Sequence, residues 1–353
     1  MNRSPERNLA SVMMAVPLAA RLFIGMSLES TQSGCASWMC PLIGLLISAP
    51  LLVCLRIVEK SAENSVLCEL IESVPRAAAA AILLPLVTIL VCDCAGIVRL
   101  TANTANINAL NSATTLFLVL PVAAVVGIMI LLGANAAGRN ARIWMVLLPI
   151  PLLVIVAVQL RAYEPAWLTP ILGGGIRSLI RNGLECAGII SMFTLIRAIS
   201  IPDERERSVF LYAFLTVCAA SALLALFQML APVRTQVVLS RASRLKMILS
   251  NGRVALILQI VMILVWYGSI LHIISVEAAT AAHIVEMLFP KLKVSVLAAF
   301  LALIIGVFAS SQLAKSENFR SLELYRFHAV GGLMLLIFMI LYFSARRKKK
   351  CAD

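Results

Sequence analysis

Charge is what this chain has least of. Only 13% of its 353 residues are Asp, Glu, Lys or Arg, about half the share of an ordinary soluble domain. With 61% hydrophobic residues and a mean hydropathy of +0.98, too little polar surface remains to cover a water-facing globule. That excludes a soluble enzyme, a nucleic-acid-binding domain and a secreted disulfide scaffold. Histidine is scarcer still: three, scattered along the chain, which argues against His-rich metal chemistry. The nine cysteines are odd in number, and Cys54, Cys92, Cys94, Cys186 and Cys218 lie in apolar runs, where Cys behaves as a small hydrophobe. Only Cys35 and Cys40 lie near a loop where an oxidising space could bridge them. Cys92-Asp93-Cys94 is no metal motif, because residues two apart point to different helix faces. No linker or low-complexity segment divides the chain, so residues 1–353 read as one membrane domain.

What is there is a series of apolar runs, each near the roughly 20 residues that cross a bilayer. Ten are expected, at about 11–29, 38–57, 74–100, 113–132, 143–160, 179–199, 209–230, 254–274, 294–312 and 327–343. The first resembles a signal peptide, but Arg21 interrupts its core and no small-residue cleavage site follows, so it reads as a retained helix. Ten spans put both termini on one side. With that side in the cytoplasm, seventeen Lys and Arg residues lie inside, twelve outside and Arg21 within a span, a bias of the expected sign. The excess of thirty basic over seventeen acidic residues therefore orients spans and meets headgroups. Residues 61–73 form an amphipathic connection, with Val66, Leu67, Leu70 and Ile71 on one face. A second, basic one holds Arg234, Arg241, Arg244 and Lys246 and reads as an interfacial helix. The Arg346–Lys350 run reads as a stop-transfer anchor in a basic cytoplasmic tail at 344–353.

Ionisable residues inside a bilayer cost about 2.5–3.5 kcal/mol each on insertion scales. The candidates are Arg21, Asp93 and Glu185. A pairing of Asp93 with Arg21 would solve both desolvation problems and would suit a zwitterion; a purely structural ion pair explains them as well. Helix breakers supply a second clue. The first span carries Pro17 and Gly25 around Arg21. The sixth carries Gly183 and Gly188 and follows Gly173-Gly174-Gly175. Two interrupted spans, five apart, are the pattern of inverted five-helix repeats with a ligand held at half-helix ends; close packing through small residues is the plainer explanation. The repeats would cover about 11–160 and 179–343. The ligand-binding residues expected from this pattern are Ala19, Ala20, Arg21, Gly25, Asp93, Gly188, Ile189 and Ser191.

Several segments resemble a known family. Trp167-Leu168-Thr169-Pro170-Ile171-Leu172-Gly173-Gly174-Gly175-Ile176, followed by Asn182-Gly183, is similar to the stretch before span six in endospore germination permeases. These are the B subunits of spore germinant receptors, within the amino acid–polyamine–organocation superfamily. Gly133-Ala134-Asn135-Ala136-Ala137-Gly138-Arg139 resembles that family's motif after span four. Gly34-Cys35-Ala36-Ser37-Trp38 resembles its start of span two. Arg241, Arg253-Val254-Ala255-Leu256 and Trp266 resemble its span seven–eight region. Ala19 stands where the family's break glycine would fall, Met26 where its proline would, and Ala255 where its acidic residue would. The resemblance implies an all-α, leucine-transporter-type bundle with broken helices one and six and no cofactor. It implies recognition of a small nutrient, usually an amino acid, and assembly with a receptor A subunit and a C-subunit lipoprotein in the spore inner membrane. The alternatives are a proton-coupled amino acid transporter of the same fold, with Asp93 carrying the proton, and a membrane-embedded enzyme. Against the enzyme, the sequence offers no histidine–carboxylate cluster, no paired loop carboxylates and no nucleophile motif.

Overall fold

The computed structural model describes residues 18, 22, 34–61, 64–105, 115–147, 168–169, 171–172, 174–199, 209–230, 253–311 and 325–352. Among them every regular element is helical. A 3-10 turn, Gly34–Met39, leads into α1 (Cys40–Ser61). Then come α2 (Val66–Ser73), α3 (Arg76–Ala105), α4 (Thr115–Leu132), α5 (Ala134–Leu147), α6 (Ile176–Ala198), α7 (Val209–Leu230), α8 (Arg253–Leu288) and α9 (Val294–Ser310). A π turn over Phe327–Gly331 precedes α10 (Gly332–Ala352). Four segments are each long and apolar enough to cross a membrane: Cys35–Lys60, Arg76–Ala102, Ile176–Ala198 and Tyr267–Leu288. Shorter apolar helices cover Leu211–Leu226, Val294–Ser310 and His328–Ser344. The second, third, fourth and sixth to tenth expected spans are therefore all helices. The first, beyond helical and buried Leu18 and Leu22, lies outside the described residues, as do most of the fifth and the basic stretch at 231–250.

Packing follows the span order. The second span packs on the seventh (α1 on α7), the third on the eighth (α3 on α8) and the fourth on the ninth (α4 on α9). α6 is buried along nearly its whole length and packs most extensively on α1.

That contact explains the glycines of the sixth span, and it corrects the expected break there. α6 is one continuous helix through Gly183 and Gly188. A Cβ on Gly183 would lie 2.5 Å from Ile43 Cγ2, and a Cβ on Gly44 would lie 2.5 Å from Cys186 Cβ. The glycines let two backbones approach, as small residues do between membrane helices. Ser48 Oγ donates across the same interface to the Ala187 carbonyl, 3.3 Å. The glycine run before the helix starts it rather than breaking it: Gly175 is its N-cap, at φ 96°.

The fourth span ends at Gly133, whose φ of 78° turns the chain. Val119–Leu132 and Ala136–Trp144 meet there at 117°. α2 forms where the amphipathic connection was expected. Ser65 caps it by accepting from Cys68 N–H, and Val66, Leu67 and Leu70 are buried. α8 continues to Leu288, well past the expected end at 274, because the Ser, Glu and Thr residues that dilute its hydropathy are buried inside the bundle. Cys35 and Cys40 are buried and unbridged.

Candidate functional site

Asp93 lies on α3, past its midpoint, with its residue fully buried. Its partner is Arg326, just before the π turn at the start of the tenth span. Arg326 Nη2 donates to Asp93 Oδ1, and each side chain is 1% exposed. Sequence reasoning joined Asp93 to Arg21, which lies outside the described residues, and counted Arg326 among the loop charges. A carboxylate and a guanidinium this deep are tolerable only together, since breaking a buried pair typically costs about 3–5 kcal/mol. The π turn widens the backbone beside Arg326, and the Gly332 N–H is shared between the Ala329 and His328 carbonyls. Such turns are frequent at functional sites. This one packs on α6.

The next residue on α3 faces another helix. Cys94 Sγ lies 3.6 Å from Glu277 Oε2 and 3.7 Å from the Ile274 carbonyl, both on α8. Successive helix residues are about 100° apart, at 3.6 residues per turn. Asp93 and Cys94 thus tie α3 to the tenth and eighth spans in turn. Glu277 is 1% exposed. It falls just beyond the expected end of the eighth span, which is why the sequence reading missed it.

The expected residues on α6 are buried but not unwound. Ile189 is 3% exposed and Ser191 fully buried. Ser191 Oγ donates to the Gly188 carbonyl at 2.8 Å, and Thr194 Oγ1 to the Ser191 carbonyl at 2.6 Å. These hydroxyls are satisfied within their own helix. Gly188, Ile189 and Ser191 thus form a packed helical wall and offer no half-helix end. Ala19, Ala20, Arg21 and Gly25 lie outside the described residues. Glu185 pairs with half-exposed Arg181 at 3.9 Å.

A second buried ion pair was invisible in the sequence. Arg197, counted in the sequence only among the cytoplasmic-side charges, is 1% exposed and donates from Nε to Glu59 Oε1 at 2.8 Å. Arg56 approaches the other Glu59 oxygen at 3.7 Å. His272 on α8 is also buried, and Asn140 Nδ2 lies 3.2 Å from its Nδ1. A shallow recess is lined by Ile130, Gly133, Ala279, Ala282, His283 and Glu286, with Val294 and Leu297. Among the described residues no three of His, Cys, Asp and Glu stand close enough to hold a metal ion.

No protein-family model and no curated protein sequence matches the chain. Solved structures do. One is Mhp1, a nucleobase-cation-symport-1 family transporter, closed with bromovinylhydantoin bound. It has a TM-score of 0.64 at 13% identity, over 95% of this chain and 79% of that one. Another is a manganese transporter of Eremococcus coleocola in a mutant form. It has a TM-score of 0.60 at 13% identity, over 96% and 76%. The same manganese transporter with an aromatic bis-isothiourea compound has a TM-score of 0.55 at 14% identity, over 94% and 76%. The chain is an all-helical, polytopic membrane protein of leucine-transporter-type fold. At such identities the likeness speaks for the fold alone. Inside that bundle, among the described residues, α3 carries two buried polar contacts side by side, Asp93 with Arg326 and Cys94 with Glu277.

Proposed function

We propose that this chain binds a small zwitterionic nutrient, probed best with amino acids, in the middle of its bundle. The observation that carries this reading is the fully buried Asp93–Arg326 pair beside a π turn that packs on α6. A zwitterion can replace the pair's mutual contact. Its carboxylate takes the guanidinium in a bidentate, charge-assisted arrangement, and its ammonium takes Asp93. The π turn lets the tenth span shift without breaking a regular helix. The expected residues Ala19, Ala20, Arg21 and Gly25 on the first span, and Gly188, Ile189 and Ser191 on α6, would complete the wall.

The segments around Trp167–Asn182 and Gly133–Arg139 support a finer assignment. In it, the chain is the permease-like B subunit of a spore germinant receptor, in the spore inner membrane with both termini cytoplasmic. It would act there with an A subunit and a C-subunit lipoprotein. Solute binding signals only if it favours one of two conformations. The full chain in lipid nanodiscs, tested against amino acids, sugars and nucleosides, should bind at least one amino acid. Binding of none contradicts the proposal. Genes for A and C subunits beside this one favour the receptor assignment.

A second reading, a proton-coupled amino acid transporter, is favoured by a specific observation: two buried carboxylates, Asp93 and Glu277, on facing helices. The solved structures with this fold include named transporters. Amino acid uptake into proteoliposomes that rises with an imposed pH gradient supports it; binding without uptake supports the receptor.

A further inference from the structure

The elbow between α4 and α5 holds two cations without a counter-charge. Arg56, Arg181, Arg197 and Arg326 each lie against a carboxylate, and Arg99 donates to the carbonyls that end α9. Arg139 and Arg142 on α5 have no such partner among the described residues. Both are exposed.

Their place on α5 follows from helical geometry. α5 packs on α8, with Ala137 and Ala141 buried and Asn140 against His272. Residues three and four apart share a helix face, so Arg139, Arg142, Ile143 and Val146 lie on the opposite one, and all four are exposed. Leu131 and Leu132, just before Gly133, are exposed as well. Ionisable side chains on a membrane helix are costly unless they find a partner.

Depth decides what the two arginines reach. Val119–Leu132 and Ala136–Trp144 meet at 117°, so α5 leaves α4 on a shallow slant rather than doubling straight back. Arg142 lies about 13 Å along the helix from Gly133, at 1.5 Å per residue. With α4 upright in the bilayer, the component of that path along α4 is under half of it, about 6 Å. Arginine spans such a depth by laying its stem on apolar surface and lifting its head to the headgroup layer.

The ligand follows from the chemistry of the face. Residues three apart on a helix are neighbours, so the two guanidiniums repel each other until an anion sits between them. A phosphodiester takes arginine through paired, charge-assisted hydrogen bonds. The apolar residues beside the arginines suit acyl chains attached to that phosphate. An anionic phospholipid joins both features in one molecule, and no ammonium in its headgroup offsets the phosphate.

We propose that the exposed face of α5 at the elbow binds the phosphate of an anionic phospholipid through Arg139 and Arg142. The site is separate from the Asp93–Arg326 pair and does not rest on the solute-binding reading, so its test needs no solute. Lys291 and Lys293 provide the control. They are exposed in the turn between α8 and α9 and, like the arginines, have no partner among the described residues. The recess that joins Gly133 to Val294 places them at the same end of the bundle. They report the general attraction of basic residues to an anionic surface, without the guanidinium fork.

The full chain in a neutral detergent is titrated with dioleoylphosphatidylglycerol or dioleoylphosphatidylcholine, and bound lipid is counted by native mass spectrometry. The wild type should retain phosphatidylglycerol at about tenfold lower concentration than phosphatidylcholine, through the bidentate contacts. Arg139→Gln combined with Arg142→Gln should bring the two lipids within about twofold of each other. Lys291→Gln combined with Lys293→Gln should keep most of the wild-type preference. Inorganic phosphate at the lipid's concentration should not release phosphatidylglycerol, because it lacks the chains. The proposal is overturned by no preference in the wild type, by a preference that survives the arginine changes, by an equal loss from the lysine changes, or by release with inorganic phosphate. Arg142→Gln alone, with the same outcomes, replaces the arginine double variant if its thermal midpoint shows that it does not fold.

Discussion

Arg197, at the end of α6, reaches Glu59, near the end of α1, with Nε 2.8 Å from Oε1 and both side chains almost wholly buried. The contact fastens one end of the interface, and Gly44 and Gly183 allow the close approach toward the other. Removing one partner strands a charge in a low-dielectric site, which typically costs about 3–5 kcal/mol. Glu59→Gln and Arg197→Met should each lower the thermal midpoint of the purified protein sharply. The double variant should recover part of the loss, because neither charge is then orphaned. Independent, additive losses in a double-mutant cycle would show that the pair is not coupled.

The same interface predicts an ordering among glycine substitutions. Gly44→Ala and Gly183→Ala place a Cβ within 2.5 Å of a neighbouring side-chain atom. Overpacking of this kind costs about 1–3 kcal/mol. Gly332→Ala meets nothing within 4 Å and should be neutral or gain up to about 1 kcal/mol from helix propensity. Denaturation of the three variants in one detergent checks the order. Equal midpoints would contradict the packing account.

Most of the fold was legible because a bilayer writes its requirement into the sequence as runs of apolar residues. The boundaries of α1, α4, α6 and α9 fall within a few residues of those runs. The amphipathic pattern around Val66 and Leu70 announced α2. The site was harder to read, for a physical reason. Arg326 and Arg197 lie at the ends of apolar runs, where sequence alone cannot separate a solvated charge from one folded back into the bundle. Glu277 sits in the far end of α8, whose polar residues dilute the apolar run that defined the expected span. The glycines of α6 carried two meanings, unwinding and close approach, and only the position of α1 decides between them.

Topology is testable without a ligand. With ten spans and both termini in the cytoplasm, a green fluorescent protein fused after Asp353 should fluoresce in a bacterial host, and alkaline phosphatase at the same point should be inactive. The reverse pattern would invert the bundle and move the end marked by Glu59 and Arg197 to the outer face.

The pairing of Asp93 with Arg326 also predicts stability without reference to ligand. Asp93→Asn and Arg326→Gln should each destabilise the protein, and saturating amino acid should raise the thermal midpoint of the wild type more than that of either variant. An equal rise in all three would place the bound solute elsewhere.

The most direct measurement is equilibrium binding of the best amino acid ligand to the full chain in nanodiscs, wild type against Arg326→Lys and Asp93→Asn. The account predicts affinity reduced by about tenfold or more in both, about 1.4 kcal/mol, since Lys keeps the charge of Arg326 but loses its planar fork. Wild-type affinity in both folded variants would contradict a site between Asp93 and Arg326.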